Sequence, residues 1–513
     1  MTDDLPTEVF DPRAAEAGVE TAFTDRSWFG HPRGLGTLFF TEMWERFSYY
    51  GMRALLVLFM VDAASGANPG LGLSVSMAGA IYGLYTSMVY LMALPGGWVA
   101  DKLWGQRKSV FVGGCIIAAG HFSMAIPTIS TFYLGLGLIV IGTGLLKPNI
   151  SAMVGDLYPE GGGRRDAGFS IYYMGINLGG FLGPILCGLF GEGYNWHLGF
   201  SLAGIGMVAG LIQYRLGGKH LGSAGALAID DDATTLARRA TNFHRTIAVV
   251  GLLVIGIVAL AVSGMIRIPL ESVAQGLGVS IIVLAIAFFG YLLLSKGHTT
   301  IEKKRLIVIF WLFLLAAIFW SGFEQAGSSL NLFAERLTDR VMFGWEAPAS
   351  TLQSINSFFI VVLAPVFAIL WTWLARRNAN PSMALKFGLG LLGLAAGFFV
   401  LAWGAANATP ENPVSPSWLV VTYFLHTCGE LALSPVGLSS MTKLSPRGRV
   451  GQMMGVWFMA VALGSLFAGL AAGFLETLAP SALFSNVAMI VGGAGIVAVL
   501  VSPLVKRLTG GVN

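Results

Sequence analysis

The chain has 513 residues, of which 55% are hydrophobic and 11% are charged, and its formal net charge is +4. Soluble globular proteins carry about 25% charged residues, so this composition excludes an ordinary soluble domain and predicts a surface that mostly faces lipid. Most cationic residues fall in the loops between apolar segments, which argues against a nucleic-acid-binding surface. We interpret Cys115, Cys187 and Cys428 as packing residues, because the spacings typical of disulfides and metal sites are absent.

The chain begins with a polar tail and continues as a series of apolar segments. Residues 1–35 contain Pro, Gly and charges of both signs, which predicts a cytosolic tail without a cleavable signal peptide. A segment of about 20 apolar residues is long enough to cross a bilayer. We predict about fourteen such segments, at 37–64, 74–99, 106–126, 130–153, 167–190, 195–214, 244–265, 273–296, 305–335, 348–376, 384–405, 415–442, 450–474 and 482–505.

The basic residues alternate between successive loops. With the N-terminus in the cytosol, the cytosolic loops carry clusters such as Arg164 with Arg165, whereas the opposite loops carry only Arg267, Arg336 and Arg340. Cytosolic loops of membrane proteins are enriched in Lys and Arg. The pattern therefore predicts a multi-pass protein of the bacterial inner membrane with both termini in the cytosol.

An internal similarity indicates two halves. KPNISAMVGDLYP (147–159) and SPVGLSSMTKLSP (434–446) share prolines at the second and last positions, and each ends a segment at an equivalent place in its half. We predict an all-α membrane protein with six-helix bundles at 36–214 and 301–507, a linker at 215–300 carrying two inserted helices, and a tail at 508–513. Halves of this kind with a site between them are typical of transporters.

The first apolar segment carries charges on one helical face. The spacing in EMWERFSYYGMR (42–53) is i, +3, +4, +7, +8 and +11, and it aligns Glu42, Glu45, Arg46, Tyr49, Tyr50 and Arg53. Each charge costs roughly 2.5–3.5 kcal/mol at the centre of a bilayer, so this face must contact protein or water. One interpretation is an ion-pair cluster that only holds helices together. We favour a pathway for protons and substrate, because buried ion pairs seldom stabilise a protein more than apolar packing does.

Further polar residues lie inside later segments. The basic residues Arg46, Arg53 and Lys147 belong to the first half, and the acidic residues Glu324 and Glu430 belong to the second. A cavity between the halves would therefore be positive on one wall and negative on the other, which suits a small zwitterion. Asn177 and Asn356 lie at comparable depth, and the aromatic residues that we expect to line the cavity are Tyr49, Tyr50, Tyr85, Tyr90 and Trp457.

Several motifs resemble those of known families. GGWVADKLWGQRKSV (96–110) resembles the cytosolic loop motif of the major facilitator superfamily. EMWERFSYYGMR and FSIYYMGINLGG (169–180) resemble motifs of the proton-dependent oligopeptide transporter family, with Gly180 where serine is expected. FWSGFEQ, LQSINSFF and GELALSPVGLS are similar to later segments of that family, so the resemblance covers nearly the whole chain.

The resemblance implies proton-coupled uptake of di- and tripeptides by alternating access, driven by the proton gradient with no cofactor. It implies that Glu42, Glu45 and Glu324 carry protons, and that Arg53 with Glu324 and Lys147 with Glu430 form gating pairs. It implies that the peptide carboxylate meets Arg46, Arg53 and Lys147 and that the ammonium meets Asn177, Asn356 and Glu430, with Tyr50, Tyr85 and Trp457 completing the substrate site. The expected partners are peptides, protons and lipid, and we expect a monomer.

Two alternatives remain open at this point. The first is a carrier of the same fold for another anion or zwitterion, such as nitrate or a peptide-like compound. The second is a membrane receptor or membrane-embedded enzyme. The hydrophilic loops are too short for a signalling domain, and the sequence has no paired-His motif, Ser/His/Asp set or phosphate loop. We therefore expect no enzymatic activity.

Overall fold

The computed structural model describes residues 25–227, 233–342 and 344–510. These residues are almost entirely helical. The helices are α1 Arg33–Val61, α2 Val75–Leu91, α3 Ala93–Val99, α4 Gly105–Met124, α5 Ile129–Asp156, α6 Gly162–Gly191, α7 Trp196–Gly217, α8 Ala233–Val262, α9 Leu270–Leu294, α10 Thr300–Phe323, α11 Ser329–Leu337, α12 Ser354–Arg376, α13 Met383–Ala405, α14 Ser417–Leu444, α15 Val450–Ala472 and α16 Pro480–Leu508. A short hairpin pairs β1 Val341–Met342 with β2 Trp345–Glu346. Twelve stretches of the described chain are long and apolar enough to cross a membrane.

Several helices begin where the sequence places a polar residue before an apolar run. The side chains of Ser74, Asn195 and Ser382 accept hydrogen bonds from backbone N–H groups in the first turns of α2, α7 and α13. Thr299 and Glu302 form a reciprocal capping box at the start of α10. These contacts satisfy N–H groups that have no partner inside the helix, which fixes where the apolar segments start.

The helices pack as two groups. In the first bundle, α1 packs against α6 and α7, and α4 packs against α5 and α7. In the second bundle, α13 packs between α14 and α16, and α10 packs against α15. The two bundles meet where α2 lies against α15 and where α6 lies against α12, and α9 packs beside the α2–α15 contact. The candidate site lies between these two seams.

The α2–α15 seam depends on glycine. A Cβ atom added at Gly79 would lie 2.3 Å from the carbonyl oxygen of Gly469. No other residue fits there without separating the helices. Because glycine has no side chain, the backbones of the two bundles can approach each other closely at Gly79 and Gly469.

The two ends of the molecule are distinguished by their loops. We call the end that holds loops 62–74, 192–195, 338–348 and 406–416 the far end; Asn68 bonds to Gly191 there, and Thr338 bridges to Val414. The near end holds the described chain termini. Arg305 donates to the carbonyl of Thr509 at this end.

The structure differs from the predicted segments in two places. The helix predicted at 244–265 begins at residue 233, because polar residues before it also adopt helical backbone; residues 228–232, within the predicted linker, lie outside the described chain, as do residues 1–24 of the predicted tail. The segment predicted at 305–335 is broken by the 3-10 turn Glu324–Gly327, and Ser328 after it has φ −126° and ψ −98°. The break places Glu324 at a helix end.

Candidate functional site

The charged face of α1 points into the first bundle rather than toward lipid. Glu42, Glu45 and Arg46 are at most 2% exposed. Arg46 donates to both carboxylate oxygens of Glu45, with Nη2 2.6 Å from Oε1 and Nε bonded to Oε2. The Arg46 Nε atom also lies 3.2 Å from Oε1 of Glu42. One guanidinium therefore neutralises part of the charge of two buried carboxylates, which makes this face tolerable inside a membrane.

About two turns beyond Arg46 on α1, an ion pair joins the two bundles. Arg53 Nη1 donates to Glu324 Oε2 at 2.6 Å, and both side chains are buried. The Tyr82 hydroxyl donates to the backbone carbonyl of Glu324 at 3.1 Å. Asn331 Nδ2 donates to the carbonyl of Ala54 at 2.7 Å. The helix break at Glu324 thus sits in a set of bonds between α1, α2 and the second bundle.

A cavity lies beside this ion pair, between α1, α6, α12 and α14. Its lining includes Tyr50, Arg53 and Asn356 from the sequence prediction, and the complete set is Tyr50, Arg53, Gly180, Pro184, Phe323, Ala326, Gln353, Asn356, Ser357, Tyr423 and His426. The Arg53 guanidinium lies 5.0 Å from the ring centre of Tyr50. The first bundle therefore presents a cation and an aromatic ring to the cavity.

The second bundle presents an amide and a carboxylate at this place. Asn356 Nδ2 donates to Thr427 Oγ1 at 2.9 Å and to Glu430 Oε2 at 3.3 Å. Both oxygen acceptors lie on α14, so Asn356 holds Glu430 beside the cavity wall. A positive group opposite a negative group is the arrangement that binds the two ends of a zwitterion.

Lys147 lies within α5, directly before Pro148. Its Nζ atom lies 4.5 Å from the ring centre of Tyr90. Within the described residues no ion pair joins Lys147 to Glu430. The predicted gating pair is therefore apart in this structure, whereas Arg53 and Glu324 are in contact.

The remaining predicted site residues lie around the cavity without lining it. Tyr85 stacks on Tyr49, with ring centres 6.4 Å apart. Asn177 donates to the carbonyl of Tyr173 on its own helix at 2.9 Å. Trp457 is 4% exposed and packs against Gly437, where an added Cβ would lie 2.2 Å from the indole ring.

Sequence reasoning missed several lining residues. Gln353, Ser357, Tyr423 and His426 were not singled out, although each lies in the cavity wall. His426 precedes Glu430 by four residues, which places both on one face of α14. That spacing is the signal that could have identified it.

The bonds that the structure shows between the bundles lie toward the far end. Besides the contacts of Arg53 and Asn331, Ser354 Oγ donates to the carbonyl of Phe181 at 2.8 Å. Ser76 N donates to Glu476 Oε1 at 3.0 Å, at the start of α2. These contacts close the far end above the cavity.

Comparisons with known proteins agree with this arrangement. Residues 107–490 match the family model PTR2, described as the POT family. The peptide transporter YePEPT of Yersinia enterocolitica is 42% identical over 460 residues, covering 88% of this chain and 89% of that protein. A di-/tripeptide transporter of Lactococcus lactis is 40% identical over 445 residues, covering 85% of this chain and 88% of that protein.

Solved structures show the same likeness. The crystal structure of a peptide transporter POT in complex with sulfate has a TM-score of 0.87 at 38% identity, covering 98% of this chain and 99% of that chain. A POT family transporter in complex with 5-aminolevulinic acid has a TM-score of 0.86 at 33% identity, covering 95% of this chain and 100% of that chain. On the match of its sequence and its fold, this chain belongs to the POT family of transporters.

Proposed function

We propose that this protein imports di- and tripeptides together with protons by alternating access. The observation that carries the proposal is the cavity between the bundles, with Arg53 on one wall and the Asn356–Glu430 pair near the other. Relatives that align over most of the chain are named peptide or di-/tripeptide transporters. The proton gradient would supply the energy, and no step calls for a cofactor.

The peptide would lie across the cavity with its termini on opposite walls. Its carboxylate would meet Arg53, with Arg46 and Lys147 contributing positive charge from the same bundle. Its ammonium would donate to the carboxylate of Glu430, held in place by Asn356, and to the side-chain carbonyl oxygen of Asn177, whose NH2 group donates to Tyr173. Recognition of the two termini does not depend on the peptide's side chains. One site would therefore accept many peptides, since their side chains need only fit beside Tyr50, Tyr85 and Trp457.

The proton would act by breaking ion pairs between the bundles. Protonation of Glu324 removes the negative charge that holds Arg53 at 2.6 Å, which frees the guanidinium for the peptide carboxylate and loosens the far end. Glu45 and Glu42 would take up and release protons, and Arg46 would remain charged as the counter-ion of both. At the near end, Lys147 and Glu430 would pair when that end closes, and their separation here fits the closed far end.

We infer fourteen membrane crossings in two six-helix bundles, with α8 and α9 as an inserted pair. The twelve apolar stretches count 75–124 as one, although it contains α2 to α4, and they leave out α1, which carries the charged face. Counting 75–124 as two crossings and adding α1 brings the twelve stretches to fourteen crossings. The basic near-end loops favour cytosolic termini in a bacterial inner membrane, and the site lies within one chain, which favours a monomer.

Uptake of labelled dialanine into proteoliposomes tests the proposal. We expect accumulation that requires an inward proton gradient and that a protonophore abolishes. Flux that ignores the gradient would refute proton coupling, and an absence of dipeptide flux from correctly folded protein would refute the substrate.

A second candidate substrate is another small zwitterion. A related transporter was crystallised with 5-aminolevulinic acid, which carries one carboxylate and one amine. Competition for uptake of labelled dialanine distinguishes the two substrate classes. We expect unlabelled dipeptides to inhibit this uptake more strongly than 5-aminolevulinic acid does, and we expect nitrate not to inhibit it.

A further inference from the structure

The start of the α12 segment is capped by a side chain from the other bundle. This segment opens with the 3-10 turn Ala349–Gln353, and its own flanking residue Pro348 supplies no side-chain cap. The backbone N–H groups of Ala349 and Ser350 instead donate to the two carboxylate oxygens of Glu192, at 2.8 and 2.9 Å. Glu192 follows the last residue of α6, so the cap joins the first bundle to the second at the far end.

The first bundle holds the Glu192 loop in place from both sides. Asn68 Nδ2 donates to the carbonyl of Gly191 at 2.9 Å, and Asn68 Oδ1 accepts from the backbone N–H of Trp196 at the same distance. The Trp196 indole donates to Asp62 Oδ2 at 3.1 Å. The loop before α7 is therefore tied to the loop after α1, and the carboxylate reaches the second bundle from a fixed position.

The second bundle approaches closely enough to receive this carboxylate. A Cβ atom added at Gly188, one turn before Glu192, would lie 2.2 Å from Ser350 Oγ. A side chain at this position would force the Ser350 hydroxyl to move, so glycine accommodates the close approach as it stands. The guanidinium of Arg340, bonded to the carbonyl of Ala347 at 2.6 Å, adds positive charge beside the start of the segment.

The chemistry makes this contact a strong one that depends on conformation. The first N–H groups of a helix have no partner within the helix, and a carboxylate is the favoured acceptor at this position. Both bonds cross from one bundle to the other. A movement that opens the far end must break both of them.

We propose that Glu192 is a far-end latch, a positioning residue that stabilises the closed far end by capping the α12 segment across the bundles. The inference rests on the proposed function, because alternating access is the movement that the latch would control. Glu192 would hold the far end closed together with the Arg53–Glu324 pair, but from a position outside the substrate site.

Two variants break the latch from opposite sides. Glu192→Gln keeps the size of the side chain but replaces one acceptor oxygen by an NH2 group, which cannot accept from a backbone N–H. Ala349→Pro deletes one of the donors; proline is tolerated at the first position of a helix, and Pro348 already has ψ 140°, which suits a residue before proline. Glu346→Gln is the matched control, because its side chain is 64% exposed and pairs with Arg340 inside the second bundle.

The readout is the separation of the bundles at the far end. Spin labels at Ala67 and Glu411, exposed residues of far-end loops on the two bundles, report this distance in proteoliposomes once the three native cysteines are replaced. We expect Glu192→Gln and Ala349→Pro each to raise the ratio of long to short distances by about fivefold to thirtyfold, the effect of losing a helix cap. The double variant should raise this ratio no further than a single variant does, because both substitutions remove the bond between residue 349 and the Glu192 carboxylate.

Unchanged distances in both variants would overturn the proposal, and so would an equal shift in Glu346→Gln. The distance does not depend on what is transported. If the latch variants open the far end while dipeptide uptake fails, the substrate assignment falls and the latch stands. If uptake succeeds and the distances do not move, the latch alone is wrong.

Discussion

Replacing Glu324 by glutamine removes the charge that holds Arg53 across the two bundles. The change is nearly isosteric, and Glu324 is 3% exposed, so the surrounding packing is preserved. The bond from Tyr82 to the backbone carbonyl of residue 324 is also preserved. The variant therefore imitates the protonated carboxyl and leaves the rest of the contact in place.

The structure sets the size of the effect. A hydrogen bond to a charged group contributes roughly 1.5–3 kcal/mol, and the Arg53–Glu324 bond is short and buried. Since 1.4 kcal/mol is a factor of ten, the ratio of closed to open far ends should fall roughly tenfold to hundredfold.

Two transport assays in proteoliposomes test the consequence. We expect Glu324→Gln to lose accumulation driven by the proton gradient, because the side chain no longer takes up and releases a proton. Counterflow, which exchanges labelled for unlabelled peptide without net proton movement, should persist. Glu335→Gln is the control, since the ion pair of Glu335 is with Arg336 on its own helix. Concentrative uptake by Glu324→Gln would refute the reasoning.

Other changes give separate outcomes. Glu45→Gln should abolish gradient-driven uptake and spare counterflow, and the assignment of this carboxylate is wrong if the variant still concentrates peptide. Asn356→Ala should raise the KM for dialanine about tenfold while the maximal rate changes little, because Glu430 loses the amide that positions it; an unchanged KM would remove Asn356 from the substrate site. Burial, followed by the nearby charge of Arg164, lowers the pKa of His31, whose Nδ1 lies 2.8 Å from the Tyr158 hydroxyl. His31 in contact with Tyr158 binds a proton at lower pH than the free side chain does, so this contact weakens as pH falls below about 6.5. After correction for the intrinsic pH dependence of amide exchange, the protection of residues 25–32 against hydrogen exchange should decrease between pH 7.5 and 5, and His31→Gln should remove that dependence.

The interior chemistry was largely predictable from the sequence. The helical spacing of Glu42, Glu45, Arg46 and Arg53 required a single polar face, because scattered charges would be too costly in lipid. The division of basic and acidic residues between the halves likewise predicted opposed walls. The structure places Arg53, Asn356 and Tyr50 around one cavity, and their part in substrate binding stays a prediction.

What periodicity does not encode is contact between segments distant in the chain. The state in which Arg53 meets Glu324 while Lys147 stays apart from Glu430 depends on how the bundles are inclined, and one sequence is compatible with several inclinations. The polar and small residues EQAGSS (324–329) interrupt the apolar run where the helix breaks, but they do not specify that the turn Glu324–Gly327 contacts α2.

The sequence by itself determined the helices, their polar faces and the family, because burial in lipid imposes a period on each segment separately. Only the tertiary structure decided which ends are closed and by what. Glu192 shows the reason: its sequence neighbours suggest an ordinary loop carboxylate, and its partners are backbone N–H groups of residues 349 and 350. Backbone donors are the same for every residue except proline, so no side-chain pattern could have announced that contact.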